Sequence, residues 1–315
     1  MPDALMFDPF PTAADPRSTW RAAVEACFYG HLFYGVCAVA QVIETSVQLG
    51  LPVSGWLTAV AFIGTVAFYS YPYTRRMAND ADPRARWHRR HRGVVQRGLR
   101  WTLVASIALS AWIAIGHRAA IRAMTPLEWI ALLVFPSAAG LYYGAPVISR
   151  AIALRKSGWL KPFVIGFVWA GVVVAYPILF ARLNDGRQTP LSLFACLLFI
   201  KTLMFVAVLA MLFDIKDRDA DRHAGLSTVA TLVGPERTLF HVSLPLTVLG
   251  VATFLSYATV EHLTAPRVLL VLAPFGLLTA GIVSLRRPRS ILYYLAVIDG
   301  LMLAKASLDI LAMRY

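Results

Sequence analysis

The chain has 315 residues, of which 58% are hydrophobic and only 15% charged, with a mean hydropathy of +0.63. Soluble domains carry about 25% charged residues, so this composition excludes an ordinary soluble protein and describes a polytopic membrane protein. The formal net charge of +13 would suggest nucleic acid in a soluble chain, but no groove-reading motif accompanies it and nucleic acid is not expected as a partner.

Residues 1–25 read as a cytoplasmic N-terminal tail: Asp3, Asp8, Asp15 and several prolines stand where a signal peptide would have a basic stretch followed by an apolar one. Residues 26–315 read as a single transmembrane domain. Nine apolar segments of roughly spanning length lie near 28–49, 53–71, 101–116, 127–147, 162–181, 190–213, 238–258, 267–285 and 291–312. Backbone polar groups in lipid must be satisfied internally, so the fold class is all-α, a polytopic membrane helical bundle of about nine transmembrane helices. Most of the 30 basic residues fall in the tail and in loops 2–3, 4–5, 6–7 and 8–9. With positive charge inside, that places the N-terminus in the cytoplasm and the C-terminus outside. An integral protein of the bacterial inner membrane, in contact with membrane lipids, is expected.

Loop 2–3, from about Tyr73 to Arg100, concentrates arginines, including Arg75, Arg76, Arg84, Arg86, Arg89 and Arg90, around His88 and His91. Topogenic charge and attraction to anionic head groups account for most of it, and both histidines are expected to be solvated. Arg75 and Arg76, nearest the membrane, are candidates for diphosphate capture. Glu44, Lys201, Asp299, Lys305 and Asp309 interrupt apolar spans, which is costly in lipid and points to a bundle interior or a wet cavity. Lys305 and Asp309 are spaced to pair along their own helix; the other three have no partner in sequence and are free to meet across helices or touch a substrate. Cys27, Cys37 and Cys196 lie in or beside apolar segments without paired spacing and read as packing residues.

The chemistry is concentrated in Phe213-Asp-Ile-Lys-Asp-Arg-Asp-Ala-Asp-Arg-His-Ala-Gly225, at the inner end of an apolar run. Asp214, Asp217 and Asp221 are spaced i, i+3 and i+7 and share a helix face, whereas Asp219 faces away. Three carboxylates on one face repel unless a hard cation or a basic partner neutralises them, and oxygen ligands of this kind suit Mg²⁺ bridged to phosphate.

The run Asp214-x-x-Asp217-x-x-x-Asp221, with Gly225 and Thr228 after it, resembles the second aspartate-rich motif of the UbiA superfamily of intramembrane prenyltransferases. Leu141-Tyr142-Tyr143-Gly-Ala-Pro146, leading to Leu160-Lys161-Pro-Phe and Trp169-Ala170, resembles the stretch that closes the fourth helix of that family and opens the fifth. The resemblance implies a UbiA-like bundle, Mg²⁺ held by Asp214, Asp217 and Asp221 as catalytic and metal-binding residues, and a prenyl diphosphate contacted by Lys161. It further implies a hydrophobic or aromatic acceptor. Tyr71, Tyr73, Tyr142, Tyr143 and Trp169 are the aromatic faces available to a carbocation.

The chain departs from the family at its first motif, Asn-Asp-x-x-Asp. The corresponding stretch is Phe68-Tyr-Ser-Tyr-Pro-Tyr-Thr-Arg-Arg76, where bases replace acids; Asn79-Asp-Ala-Asp82 downstream has the wrong spacing and reads as a turn and cap. Guanidinium groups bind phosphate oxygens in a bidentate manner without carboxylates, so Arg75 and Arg76 are the expected replacement for one metal. Prenyl transfer, intramembrane terpene cyclisation and a non-catalytic isoprenoid or lipid binder all remain open from these residues.

Overall fold

The computed structural model describes residues 16–74, 82–143, 158–185, 192–223 and 225–315, and every regular element among them is helical. The bundle opens with α1 (Pro16–Tyr29), α2 (Leu32–Gln48) and α3 (Gly55–Thr74). Two helices of the basic segment follow, α4 (Pro83–Arg90) and α5 (Arg92–Gly116), then the short α6 (Arg118–Arg122) and α7 (Pro126–Tyr143). After a 3-10 turn at Gly158–Leu160, α8 (Lys161–Ala170) runs through a π-helical turn, Gly171–Ala175, into α9 (Tyr176–Asp185). The longest helix is α10 (Leu193–His223), at 31 residues. Beyond it come α11 (Val229–Val233), α12 (Pro235–Arg237), α13 (Leu244–Val260), α14 (Ala265–Ser284), α15 (Ile291–Tyr293) and α16 (Gly300–Ala312).

Five stretches are long and apolar enough to cross a membrane: Arg92–Gly116, Gly158–Asn184, Leu193–His223, Pro235–Val260 and Ala265–Ser284. The pair Thr19–Tyr29 and Leu32–Gln48, bent by 58°, makes a sixth if it counts as one span. Six of the nine apolar segments answer to these stretches among the described residues; the second forms α3, outside that set, the fourth forms a shorter helix and the ninth is interrupted. The interruption is a π-helical turn, Tyr294–Ile298, matched by another at Thr238–Ser243. Two of the three π turns stand immediately ahead of a proline at the second position of the next helix, Pro177 in α9 and Pro245 in α13. Proline has no N–H to donate and crowds the preceding turn, and a wider turn relieves both constraints without ending the helix.

Helix α10 is the axis of the core. Phe205, Val208, Leu209, Leu212 and Met211 are all buried on it, and it packs closely on α8. The approach is possible because Gly166 has no side chain: a Cβ there would stand 2.4 Å from the Leu203 carbonyl oxygen. Small residues of this kind let membrane helices meet backbone to backbone. On the other side, α2, α14 and α16 pack together through Leu278, Ile282 and Leu301, with Ile298 of the π turn ahead of α16. Helix α5 lies at the periphery against α3 and α4 and buries no residue, so its Trp101, Leu103 and Trp112 face outward.

Four of the five charges that interrupt the apolar segments meet across helices. Lys305 Nζ donates to Glu44 Oε1 at 2.6 Å and Oε2 at 2.8 Å, and Lys201 Nζ donates to Asp309 Oδ2 at 2.6 Å. Lys305 and Asp309, which the sequence pairs along one helix, stand 3.6 Å apart, so that contact exists but is subordinate to the bond Lys305 makes to α2. The fifth charge, Asp299, accepts a hydrogen bond from Tyr34 Oη at 2.5 Å.

Candidate functional site

The acidic motif occupies the last turns of α10. Asp214 is fully buried and its Oδ1 accepts a hydrogen bond from Lys161 Nζ at 2.5 Å. Lys161 opens α8, so the ion pair fastens the acidic end of α10 to the start of its main packing partner. Asp217 is half-buried and pairs with Lys216, Asp221 is half-buried, and Asp219 is exposed, as the helical period requires. The helix then closes by Gly225 N–H to Arg222 O at 3.1 Å and Leu226 N–H to Asp221 O at 2.9 Å. Gly225 carries a φ of 68°, the left-handed conformation that suits glycine after a helix. Thr228 caps the next helix: its Oγ1 accepts from the Thr231 N–H at 3.3 Å. The loop is held close to Lys161, since a Cβ on Gly158 would lie 2.8 Å from the Thr228 backbone nitrogen.

No group of three metal-capable side chains converges among the described residues, and lysines stand against two of the three acids. Two buried carboxylate oxygens, Asp214 Oδ2 and Asp221 Oδ2, nevertheless have no hydrogen-bond donor. Buried acceptors without donors are uncommon, and hard oxygen donors of this type fit Mg²⁺.

A cavity of about 500 Å³ opens between α3, α7 and α8, its first α8 residue, Val164, one turn along the helix from Lys161. Val164, Ile165, Val168 and Trp169 of α8 form one wall, just beyond Lys161, and α3 forms another from Tyr71 down to Leu57. At the rise of an α-helix that wall is about 20 Å long. Apart from Thr65 and the tyrosines the lining is apolar. Tyr71 and Trp169, both singled out from sequence, line the cavity; Trp169 Nε1 donates to Tyr69 Oη at 2.9 Å. Tyr73 does not line it and stacks on His88, with ring centroids 4.6 Å apart. Arg75 and Arg76 lie outside the described residues, and so do the side chains of Tyr142 and Tyr143.

The aromatic ring system behind the cavity was not legible from spacing. Tyr69 stacks on Tyr34 at 4.4 Å, and His31 lies among Tyr34, Tyr69, Tyr73 and His88. His31 sits at the α1–α2 bend with a φ of 62°, a conformation that non-glycine residues adopt only under constraint. The constraint is visible: His31 Nδ1 and Ser70 Oγ are hydrogen-bonded at 3.1 Å and the ring is sandwiched by its neighbours. His88, expected to be solvated, is instead buried, and its Nε2–H donates to the Tyr29 carbonyl at 2.8 Å. The correction has a simple cause: Ala85 and His88 share one face of α4, which turns that face onto α1 and leaves Arg89 and Arg90 outside.

Burial pushes the His88 imidazole down to about 4, against about 6.5 in an unfolded chain. The unfolded state therefore takes up a proton first as pH falls. His88 contributes its full stabilisation above pH 6.5 and loses it between 6.5 and 4, a change of roughly 3 kcal/mol at most. Thermal unfolding in detergent across that range is expected to show a steeper loss for the native chain than for His88→Gln; parallel curves would contradict it.

Among the described residues of the basic segment, Arg84 lies within electrostatic reach of the site. Asp82 caps α4 ahead of Pro83, accepting from the Arg84 N–H at 2.8 Å, and its carboxylate is gripped by the Arg84 guanidinium at 2.7–3.2 Å. Burial raises the Asp82 carboxyl, but these bonds outweigh it and hold the group below its ordinary value. Arg84 is largely buried, lies 5.9 Å from the centre of the Tyr73 ring, and its charge acts on Asp217. The sequence signal for it was the Asp-Pro cap, which fixes Arg84 in the first turn of α4; the crowd of neighbouring arginines concealed it.

Such an all-helical bundle, with several helices long and apolar enough to cross a bilayer, defines an integral membrane protein. Its fold is that of the UbiA structures. A UbiA homolog from Aeropyrum pernix K1, in its apo form, superimposes with a TM-score of 0.57 over 90% of this chain and 98% of that one, at 18% identity. The structure of a digeranylgeranylglyceryl phosphate synthase in membranes matches with a TM-score of 0.53 over 94% of this chain and all of the other, at 12% identity. No protein-family model and no curated protein sequence matches the chain.

Proposed function

We propose that the protein is an intramembrane prenyltransferase that moves an isoprenoid group from its diphosphate to a lipophilic or aromatic acceptor. The observation that carries this reading is the junction at Lys161: its ammonium is bonded to the buried Asp214, and the cavity begins one turn further along α8, at Val164 and Ile165. A charged diphosphate and an apolar chain are thus offered adjoining surfaces on one helix. The UbiA fold supports it.

In this reading the isoprenoid lies along α3 and α8, and Lys161, Arg75 and Arg76 receive the diphosphate, joined by Arg84. Asp214, Asp217 and Asp221 would hold Mg²⁺, which neutralises diphosphate charge and eases departure of the leaving group. Lys161 and Lys216 would turn from carboxylate to phosphate oxygens as the substrate enters, since an ammonium is a compact donor on a flexible stem. Tyr69, Tyr71 and Trp169 present ring faces to the allylic carbon as positive charge develops. Tyr142 and Tyr143, at the end of α7, are assigned to the same pocket. The acidic cap Asp82 holds the Arg84 guanidinium within electrostatic reach of Asp217, where it would stand in for the cation that the missing first motif would hold.

One observation favours a second reading, a non-catalytic isoprenoid or lipid binder: two of the three acids are already neutralised by lysines. Purified protein incubated with Mg²⁺ and prenyl diphosphates of several chain lengths, with diphosphate release followed by mass spectrometry, separates the cases. Release that depends on an added acceptor is the expected result. Release without acceptor would mean cyclisation or hydrolysis, saturable binding without release would mean a binder, and no binding would reject both readings.

A further inference from the structure

The end of the bundle away from the acidic motif holds a second charged groove. Lys201 lies on the same helix as Asp214, about 20 Å along its axis, so this groove is remote from the prenyl site. It runs between α10, α13, α14 and α16, and Phe194, Leu197, Met204, Phe254 and Val271 form its apolar walls. Gly250, which lines it, lets α13 pack closely on α14: a Cβ there would sit 3.1 Å from the Phe275 ring. Ile200, which also lines the groove, is exposed, so the apolar wall reaches the outer surface of α10.

Two cations line the groove, Lys201 and Arg267. Lys201 donates one hydrogen bond to Asp309 Oδ2, and its ammonium has two further N–H donors. Arg267 is half-buried, and its hydrogen bond goes to the Met313 sulfur at 3.1 Å, a weak acceptor for a group with five donors. No carboxylate among the described residues forms an ion pair with it. Of the charged residues that line the groove, Lys201 and Arg267 are cations and Asp309 is an anion, so the lining carries one positive charge in excess.

We infer that this groove binds the anionic head of a membrane phospholipid, its phosphodiester meeting Arg267 and the free donors of Lys201 and its acyl chain lying on Phe194, Leu197 and Phe254. Charge complementarity calls for one negative charge, and the apolar walls call for a hydrocarbon tail that free phosphate lacks. The inference does not rest on prenyl transfer.

Native mass spectrometry of the full-length protein, with phosphatidylglycerol, phosphatidylcholine and inorganic phosphate as probes, tests it. Phosphatidylglycerol is expected to bind about tenfold more tightly than phosphatidylcholine, the size of one charge-assisted contact. Arg267→Gln is expected to retain one phosphatidylglycerol fewer and Arg267→Lys to recover part of it, while Asp214→Asn leaves the count unchanged. Because Arg267 has no carboxylate to orphan, its variants keep the bundle intact, and the apparent melting temperature checks this. Equal retention by Arg267→Gln and the native chain, loss in Asp214→Asn instead, or displacement of the lipid by inorganic phosphate would each overturn the assignment.

Discussion

Asp214→Asn is expected to reduce diphosphate release by about a hundredfold or more while leaving the fold in place. The substitution keeps the shape of the side chain and removes its charge, at a residue with no exposed surface. One of its oxygens is bonded to Lys161 and the other has no donor, so the native carboxylate is poised rather than satisfied. A preorganised electrostatic contact at a reacting centre contributes about 3–4 kcal/mol, which sets the size of the effect. The fold survives because Lys161 is about a quarter exposed and can turn to water when its partner becomes neutral. Asp219→Asn, on the exposed side of the same turn, serves as the matched control and is expected to retain native activity. Release rates within a few-fold of native for Asp214→Asn, with an unchanged melting temperature, would show that the acidic end of α10 does not take part.

The control also marks what sequence can reveal. The period of an α-helix separates Asp214, Asp217 and Asp221 from Asp219, and the structure orders them that way, from buried through half-buried to exposed. Apolar segments locate most of the helices, and the Asp-Pro pair locates the start of α4. Contacts between segments distant in sequence are a different matter. Nothing in the spacing of His31, Ser70 and His88 announces that a strained turn at the α1–α2 bend gathers them, because a left-handed histidine is stabilised by its tertiary neighbours and not by local preference. The same holds for Arg84, one of many arginines in its segment, distinguished only by the direction its cap imposes. Interruptions inside an apolar run were equally hidden: Gly171–Ala175 and Tyr294–Ile298 keep full hydrophobicity through their π turns, so a count of apolar segments sees a continuous span where the backbone widens.

Lys305→Met is expected to destabilise the bundle by about 3–5 kcal/mol, the cost of leaving a buried charge without its partner. Lys305 is 1% exposed and bonded to both oxygens of Glu44, which is also 1% exposed. Methionine matches the stem in volume but removes every donor, leaving Glu44 bonded to Gln48 Nε2 at 3.0 Å and beside the Asp309 carboxyl. Asp309 suffers less, because Lys201 holds it at 2.6 Å. The double variant Glu44→Gln with Lys305→Met removes both charges and is expected to recover most of the loss, since a neutral amide beside Gln48 is far cheaper to bury than a lone carboxylate. A double-mutant cycle on thermal or denaturant unfolding in detergent measures the difference as a coupling energy of several kcal/mol. Additive losses would show that the two side chains act independently. The cluster ties α2, α10 and α16 together at the half of the bundle remote from the acidic motif, so both variants are expected to keep their affinity for prenyl diphosphate wherever they remain folded. A selective fall in that affinity at unchanged melting temperature would instead place the cluster in communication with the α10 acids.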